Sequence, residues 1–103
     1  MKLSLGYITT PTKTEAKDIA LELLESGLVA CCNIISGVES YFVWEEEIVK
    51  ADETVVIFKT RTRNENKIIR LVKEMHSYEC PCVVFMPIEE GNPEFLKWVE
   101  RSC

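Results

Sequence analysis

The sequence lacks long apolar segments and is poor in glycine, proline and histidine. Its 103 residues include only four glycines, four prolines and one histidine. None of its uncharged stretches approaches the roughly 18 apolar residues that a membrane-spanning helix needs, and its N-terminus lacks the basic and apolar segments of a signal peptide. We therefore expect a cytoplasmic protein with no membrane partner.

Signatures of common catalytic families are also missing. There is no G-x-S-x-G nucleophile elbow and no glycine-rich phosphate loop. Seventeen acidic residues against twelve basic ones give a net charge of -5, which repels the phosphates of nucleic acids. The run Glu53–Thr60 lacks the aromatic and basic pattern that stacks RNA bases. We expect neither an enzyme nor a nucleic-acid-binding protein.

The five cysteines form no recognisable disulfide framework. They comprise the adjacent pair Cys31 and Cys32, the C-P-C segment of Cys80 and Cys82, and Cys103. An odd number in this arrangement predicts reduced thiols. If Cys31 and Cys32 lie on a strand, they point to opposite faces and cannot bind one ion together. The absence of C-x-x-C spacing argues against a tight, preformed zinc site.

The first quarter of the chain predicts a strand and then a helix. Alternating residues over Lys2–Thr10 indicate a strand that Pro11 stops. Thr12 and Glu15 have the spacing of a capping box, and Gly27 is a typical helix stop. The apolar stripe of this helix comprises Ala16, Ile19, Ala20, Leu23 and Leu24.

A long hairpin follows. The β-branched and aromatic runs Leu28–Trp44 and Ile48–Arg61 are joined by Glu45–Glu47, and Ser36–Gly37 predicts a bulge. At ~3.3 Å per residue the fourteen residues from Cys31 to Trp44 span roughly 46 Å, whereas a domain of this size has a radius of gyration of only ~13 Å. The hairpin should therefore extend beyond the globule.

An overhanging hairpin exposes strand edges and the apolar side chains Tyr41, Phe42 and Trp44. Soluble proteins cover such surfaces with another chain, so we expect a homo-oligomer. The alternative is a monomer whose hairpin bends back at Gly37. The acidic residues of the turn either discourage unwanted strand pairing or gather hard cations loosely.

The remainder predicts a helix, a strand and a short helix. Asn64 is placed to cap a helix with the apolar face Ile68, Leu71, Val72 and Met75. A strand over Cys82–Ile88 precedes a helix that begins at Asn92–Pro93. The order β-α-β-β-α-β is typical of an α+β fold in which one antiparallel sheet carries two helices on one face. We expect a single domain over residues 1–103.

His76 is the only histidine, and it follows the second main helix. It either interacts favourably with the helix dipole or works with nearby Cys80, Cys82, Glu79 or Cys31. Thiolate and imidazole together favour copper and zinc. A Cys-His hydrolase is the poorer interpretation, because no acyl-transfer signature accompanies these residues.

Four segments in order resemble the motifs of the CutA divalent-cation tolerance family. They are Ala30–Ile35, Gly37–Tyr41 leading to Trp44, Ile57–Thr60 and His76–Pro81. The resemblance implies a ferredoxin-like subunit in a tight homotrimer whose long hairpins join neighbouring sheets. It also implies a role in tolerance to divalent cations, above all copper, with no required cofactor and no established reaction.

The resemblance further implies metal ligands, of which two match. Cys31 and His76 occupy the positions of the family's cysteine and histidine, whereas Cys82 replaces its usual glutamate and Ser77 replaces a proline. A thiolate in place of a carboxylate favours softer ions such as Cu(I). Glu46 lies where the family often has glycine, so the hairpin turn should differ.

Two functions are therefore open. The first is a trimeric protein that binds copper or a similar ion through Cys31, His76 and Cys82. The second is a trimeric signalling or scaffold module resembling the nitrogen-regulatory PII proteins, with a cleft for a small anion or a partner protein. The second requires basic residues to converge on a cleft, and Lys59, Arg61 and Arg63 are the candidates.

Overall fold

The strands and helices follow in the predicted order. The computed structural model describes residues 2–103, so Met1 lies outside the described part of the chain. The elements are β1 (Leu3–Thr10), α1 (Lys13–Glu25), β2 (Cys31–Trp44), β3 (Glu47–Arg61), α2 (Glu65–Met75), β4 (Val83–Ile88) and α3 (Pro93–Arg101). No helix within residues 2–103 is long and apolar enough to cross a membrane.

The four strands form one antiparallel sheet in the order β2-β3-β1-β4. Helix α1 joins β1 to β2 past the intervening β3, and α2 joins β3 to β4 past β1. This is the split β-α-β arrangement, so the predicted ferredoxin-like α+β fold is confirmed.

Helix α1 has the ends that its sequence predicts. The Thr12 side chain accepts a hydrogen bond from the Glu15 backbone N–H at 3.1 Å. At the other end Gly27 has a positive φ of 69°, which glycine adopts without steric cost. The Gly27 and Leu28 N–H groups donate to the carbonyls of Leu24 and Leu23, which forms a Schellman motif.

Helix α2 begins differently from the prediction. Asn64 makes no side-chain cap; its amide donates instead to the Leu28 carbonyl at 3.2 Å. A 3₁₀ turn over Thr62–Asn64 leads into the helix. Asn64 is buried beside the segment between α1 and β2, and local sequence does not reveal this contact.

The core lies between the two main helices and one face of the sheet. Its fully buried side chains include Ile8, Ile19, Leu23, Val56, Phe58, Ile68 and Val72. On β1 and β3 the residues that face this core alternate with residues that face the other side. Leu24 and Met75, predicted to join the apolar faces, are exposed.

The hairpin extends beyond the globule, as its length predicts. The molecule measures 44 × 25 × 23 Å. The register shifts between Ile35 and Val38, which confirms the bulge. The turn itself is narrower than predicted, because β3 already begins at Glu47 and the turn residues Glu45 and Glu46 both have positive φ, 50° and 68°.

Helix α3 covers one end of the second sheet face. The Lys59 ammonium lies 5.9 Å from the centre of the Phe95 ring, and Arg61 donates to the Glu100 carbonyl at 3.4 Å. Other apolar side chains on this face are exposed, including Ile35, Val84 and Met86, and Met86 is 62% exposed.

Candidate functional site

A cavity of about 790 Å³ lies between the hairpin and the loop from α2 to β4. Three carboxylates (Glu39, Glu53, Glu79) and two thiols (Cys80, Cys82) are among its lining residues, and no described lining residue is basic. The rest of the lining is mostly apolar or aromatic and includes Tyr7, Val38, Phe42, Trp44, Val49 and Tyr78. The charges of this cavity favour a cation over an anion.

His76 anchors the loop that forms one wall of the cavity. Its ring is buried, and Nε2 lies 2.7 Å from the Thr9 carbonyl oxygen. Because a carbonyl only accepts, Nε2 carries the proton and donates it. Nδ1 then accepts from the Tyr78 backbone N–H at 3.0 Å. Both ring nitrogens are therefore occupied, so neither is open to a metal ion or able to act as a base toward a cysteine.

Glu15 of α1 holds the same loop from outside. Its Oε2 accepts a hydrogen bond from the Ser77 N–H at 3.0 Å and lies 3.3 Å from Nδ1 of His76. The sequence predicts a capping box formed by Thr12 and Glu15, and the backbone N–H of Glu15 does bond to Thr12. The carboxylate of Glu15 does not complete the box but binds the loop before β4.

Tyr78 connects this loop to β3. Its phenol donates a hydrogen bond to Oε2 of the buried Glu53 at 2.9 Å. Burial, and then the hydrogen bond and charge of Glu53, raise the pKa of Tyr78 to about 12. The neutral phenol is thus retained as a donor, and it positions Glu53 at the cavity wall.

Cys31 and Cys82 lie at opposite edges of the sheet. Cys31 pairs with Lys59 on β3, and Cys82 immediately precedes β4, whose Val83 pairs with Ile8 on β1. Three interstrand spacings separate these outer strands, or about 14 Å. One ion cannot bridge them within a chain. An ion bound by both thiols would have to take Cys31 from one subunit and Cys82 from another. Such a shared site stays a prediction.

The described residues also hold no cluster of three or more histidine, cysteine or acidic side chains that could bind a metal ion. Cys32 is unsuitable for another reason. It faces the helices, with Sγ 3.9 Å from the Ala20 carbonyl oxygen. Burial, and then the neighbouring Cys31, raise the pKa of Cys32 to about 11, so it is protonated near neutral pH.

The basic residues required by the anion-binding alternative do not converge on the cavity. Lys59 contacts Asn33 and Phe95, and Arg61 bonds to α3. Neither they nor Arg63 is among the described residues that line the cavity.

Sequence reasoning missed the pairing of Tyr78 with Glu53 and the presence of Cys80 beside Cys82 in one cavity. The first depends on how the loop before β4 packs against β3 and has no local signal. The second had one, because two cysteines separated by a single residue are close together in any backbone conformation.

The sequence profile described as CutA1 divalent ion tolerance protein matches residues 4–102. The chain belongs to the CutA1 family. The resemblance stated from its motifs is therefore confirmed over nearly its whole length.

Two relatives illustrate the range of this family. The chain is 45% identical over 96 residues to the divalent-cation tolerance protein CutA of Archaeoglobus fulgidus, covering 93% of each. It is 40% identical over 97 residues to the Protein CutA homolog of Xenopus laevis, covering 94% of this chain but 64% of that protein. The chain thus spans less than two thirds of the Xenopus relative.

Solved CutA1 structures share the fold. The divalent cation tolerance protein from Thermus thermophilus superposes with a TM-score of 0.95 at 37% identity and covers 97% of both chains. A structure described as the periplasmic divalent cation tolerance protein CutA from Archaeoglobus fulgidus has a TM-score of 0.93 at 43% identity, with the same coverage.

Proposed function

We propose that this CutA1 protein acts as a homotrimer in the response to divalent cations and binds copper or a similar ion through cysteine thiols. The observation that carries this proposal is the cavity with three carboxylates, two thiols and no described basic side chain. Such a lining attracts cations, and thiols select soft ions among them. The relatives named as divalent-cation tolerance proteins support the same role.

The role is one of binding rather than catalysis. A cysteine nucleophile needs an adjacent base or another cause of thiolate formation. His76 is the only histidine, and both of its nitrogens are engaged in hydrogen bonds with the backbone. Cys80 and Cys82 therefore have no imidazole base available to them.

The ligand set implied by the family resemblance fits in part. His76 does not fit, because coordination requires its ring to give up a hydrogen bond that anchors the loop. The thiols of Cys31 and Cys82 fit the chemistry of a soft ion, although they belong to separate edges of the sheet. A bound copper ion would hold thiolates together and lower their affinity for protons.

The trimer is proposed from the exposed apolar surface of the hairpin. Tyr41, Phe42 and Trp44 are exposed there, Val43 is 73% exposed and Ile48 is 80% exposed. This surface continues into the apolar cavity wall. Burial of apolar area against other copies would stabilise the assembly by roughly 25 cal/mol per Å².

We propose that the protein works in the cytoplasm. All five cysteines are unpaired; Cys80 is exposed and the other four are half-buried. A reducing compartment keeps such thiols available for an ion.

Native mass spectrometry of the reduced protein tests assembly and binding together. Spectra are compared without metal and with one equivalent of Cu(I), Cu(II) or Zn(II). We expect a trimer that gains a fixed number of copper ions. A trimer that gains none of the three ions would contradict the binding role, and a monomer would contradict the assembly.

Interface variants test the assembly directly. Trp44→Glu introduces a charge into the proposed interface, and we expect it to dissociate the trimer in sedimentation velocity experiments. Leu21→Glu is the matched control, because Leu21 is 53% exposed and belongs to α1 rather than to the hairpin. Equal dissociation of both variants would argue against the hairpin as the interface.

A further inference from the structure

The C-P-C segment contains one thiol, Cys80, to which the family resemblance gives no role, beside Cys82, which occupies the position of a family ligand. Cys80 is exposed, Cys82 is half-buried, and both are free thiols that line the same cavity. They are the only described cysteines in its lining.

The geometry of this segment suits a two-ligand site. Cys80 and Cys82 are two residues apart in sequence and both line the cavity. Their Cα atoms are therefore at most about 7 Å apart. A linear sulfur–metal–sulfur unit spans about 4.6 Å when each bond is ~2.3 Å, which two cysteine side chains at this spacing can reach.

The surroundings favour a cation of low charge and soft character. Glu53 and Glu79 make the cavity negative, yet the described residues offer no cluster of three or more donors for an ion that needs a larger coordination shell. Copper(I) accepts two thiolate ligands, and thiolates select it over harder ions.

We propose that Cys80 and Cys82 form a two-thiolate site for Cu(I). This inference rests on the proposed function and specifies the ligands and the oxidation state of the ion. On binding, each thiol releases its proton to solvent and two copper–sulfur bonds form. Copper enters as Cu(I) and leaves as Cu(I), so no electron is transferred and no oxidant is needed.

The site differs from the set that the family resemblance implies. It requires neither Cys31, which is at least about 14 Å away across the sheet, nor His76, whose nitrogens are occupied. The ligands come from one loop of one chain. Each subunit therefore binds copper without a contribution from its neighbours.

The test uses reduced protein under anaerobic conditions, with Cu(I) supplied in competition with the chelator bicinchoninate. Copper uptake is measured by native mass spectrometry and by the absorbance of the chelator complex. We expect one copper per chain in the wild type and loss of that copper in Cys80→Ser and in Cys82→Ser. Cys103→Ser is the matched control and should retain it. Cys31→Ser distinguishes this site from the ligand set that the family resemblance implies, and we expect it to retain copper as well.

A second readout does not depend on the variants. X-ray absorption at the copper edge should show two sulfur neighbours and no nitrogen neighbour. Because Cys80 is exposed, Cys80→Ser should keep the wild-type circular dichroism spectrum and melting temperature, which excludes misfolding as the cause of copper loss.

The outcomes separate this inference from the proposed function. Copper that is lost in Cys31→Ser but retained in Cys80→Ser and Cys82→Ser would overturn the two-thiolate site and leave the binding role intact. A nitrogen neighbour from His76 would do the same. Failure of the wild type to take up Cu(I), Cu(II) or Zn(II) would overturn both.

Discussion

The phenol of Tyr78 donates a hydrogen bond to the carboxylate of Glu53 across 2.9 Å, although 25 residues separate them in sequence. Glu53 is buried on β3 at the base of the hairpin, and Tyr78 belongs to the loop that carries the C-P-C segment. This bond therefore joins the two walls of the cavity. It also makes stability depend on the protonation of Tyr78.

Alkaline pH should weaken the protein through this pair. The folded protein raises the pKa of Tyr78 to about 12, from about 10 in an unfolded chain. The contribution is fully present below pH ~10 and is lost as the pH rises toward ~12, because the folded state retains a proton that the unfolded state releases. We expect the free energy of unfolding in urea to fall over that interval at fixed protein concentration.

In Tyr78→Phe the free energy of unfolding should not show the fall that the Tyr78 phenol causes at alkaline pH. The variant should also be less stable near neutral pH by about 1–3 kcal/mol, because Glu53 loses a buried hydrogen-bond partner. Tyr7→Phe, on β1, is the control for loss of a phenol. An identical pH dependence in wild type and Tyr78→Phe would rule out the assigned role of the Tyr78–Glu53 bond.

The hairpin turn should gain stability from glycine. Glu46 has a φ of 68°, a conformation that costs most residues energy and glycine very little. We expect Glu46→Gly to raise the free energy of unfolding by about 0.5–1 kcal/mol. Glu47→Gly, at the start of β3, should lower it by a similar amount, because glycine weakens strands. Urea unfolding curves of the two variants, measured side by side, compare these opposite effects.

Gly6 should tolerate no larger residue. A Cβ atom here would overlap the ring of Phe58, which is fully buried between the sheet and the helices. We expect Gly6→Ala to destabilise the protein by about 1–3 kcal/mol, as overpacking of a dense core does. Gly91→Ala is the control, since its Cβ would meet only the Leu96 side chain, at 3.2 Å. Thermal unfolding should show the larger loss for Gly6→Ala.

Cys32 should be the slowest thiol to react. Burial raises its pKa to about 11, so only a very small fraction is thiolate near pH ~8. Cys80 is exposed and has no such burial. Iodoacetamide labelling followed by peptide mass spectrometry should modify Cys80 well before Cys32. Comparable rates at the two residues would show that Cys32 is not shielded in the folded protein.

Much of the fold is readable from local sequence. The helix cap at Thr12, the stop at Gly27 and the bulge at Ser36–Gly37 each depend on a few adjacent residues. Their turn and cap chemistry acts within one or two turns of chain, which explains why these predictions were confirmed. The family motifs likewise identify the chain because they are linear patterns.

Predictions that depended on contacts between distant segments were less complete. Asn64 was expected to cap α2, yet its amide bonds to Leu28, 36 residues away. Leu24 and Met75 have the spacing of buried residues but are exposed. Spacing identifies the apolar side of a helix, whereas the neighbours that actually cover it depend on how the helices lie on the sheet.

The sequence by itself determined the order of the elements, the length of the hairpin and the presence of two thiols flanking a proline. Only the tertiary structure decided which groups meet. The strand order places Cys31 and Cys82 on opposite edges of the sheet, and the packing of the loop against β1 engages Nε2 of His76 with the Thr9 carbonyl. Both outcomes depend on how segments far apart in the chain pack together, which a linear pattern of residues does not specify.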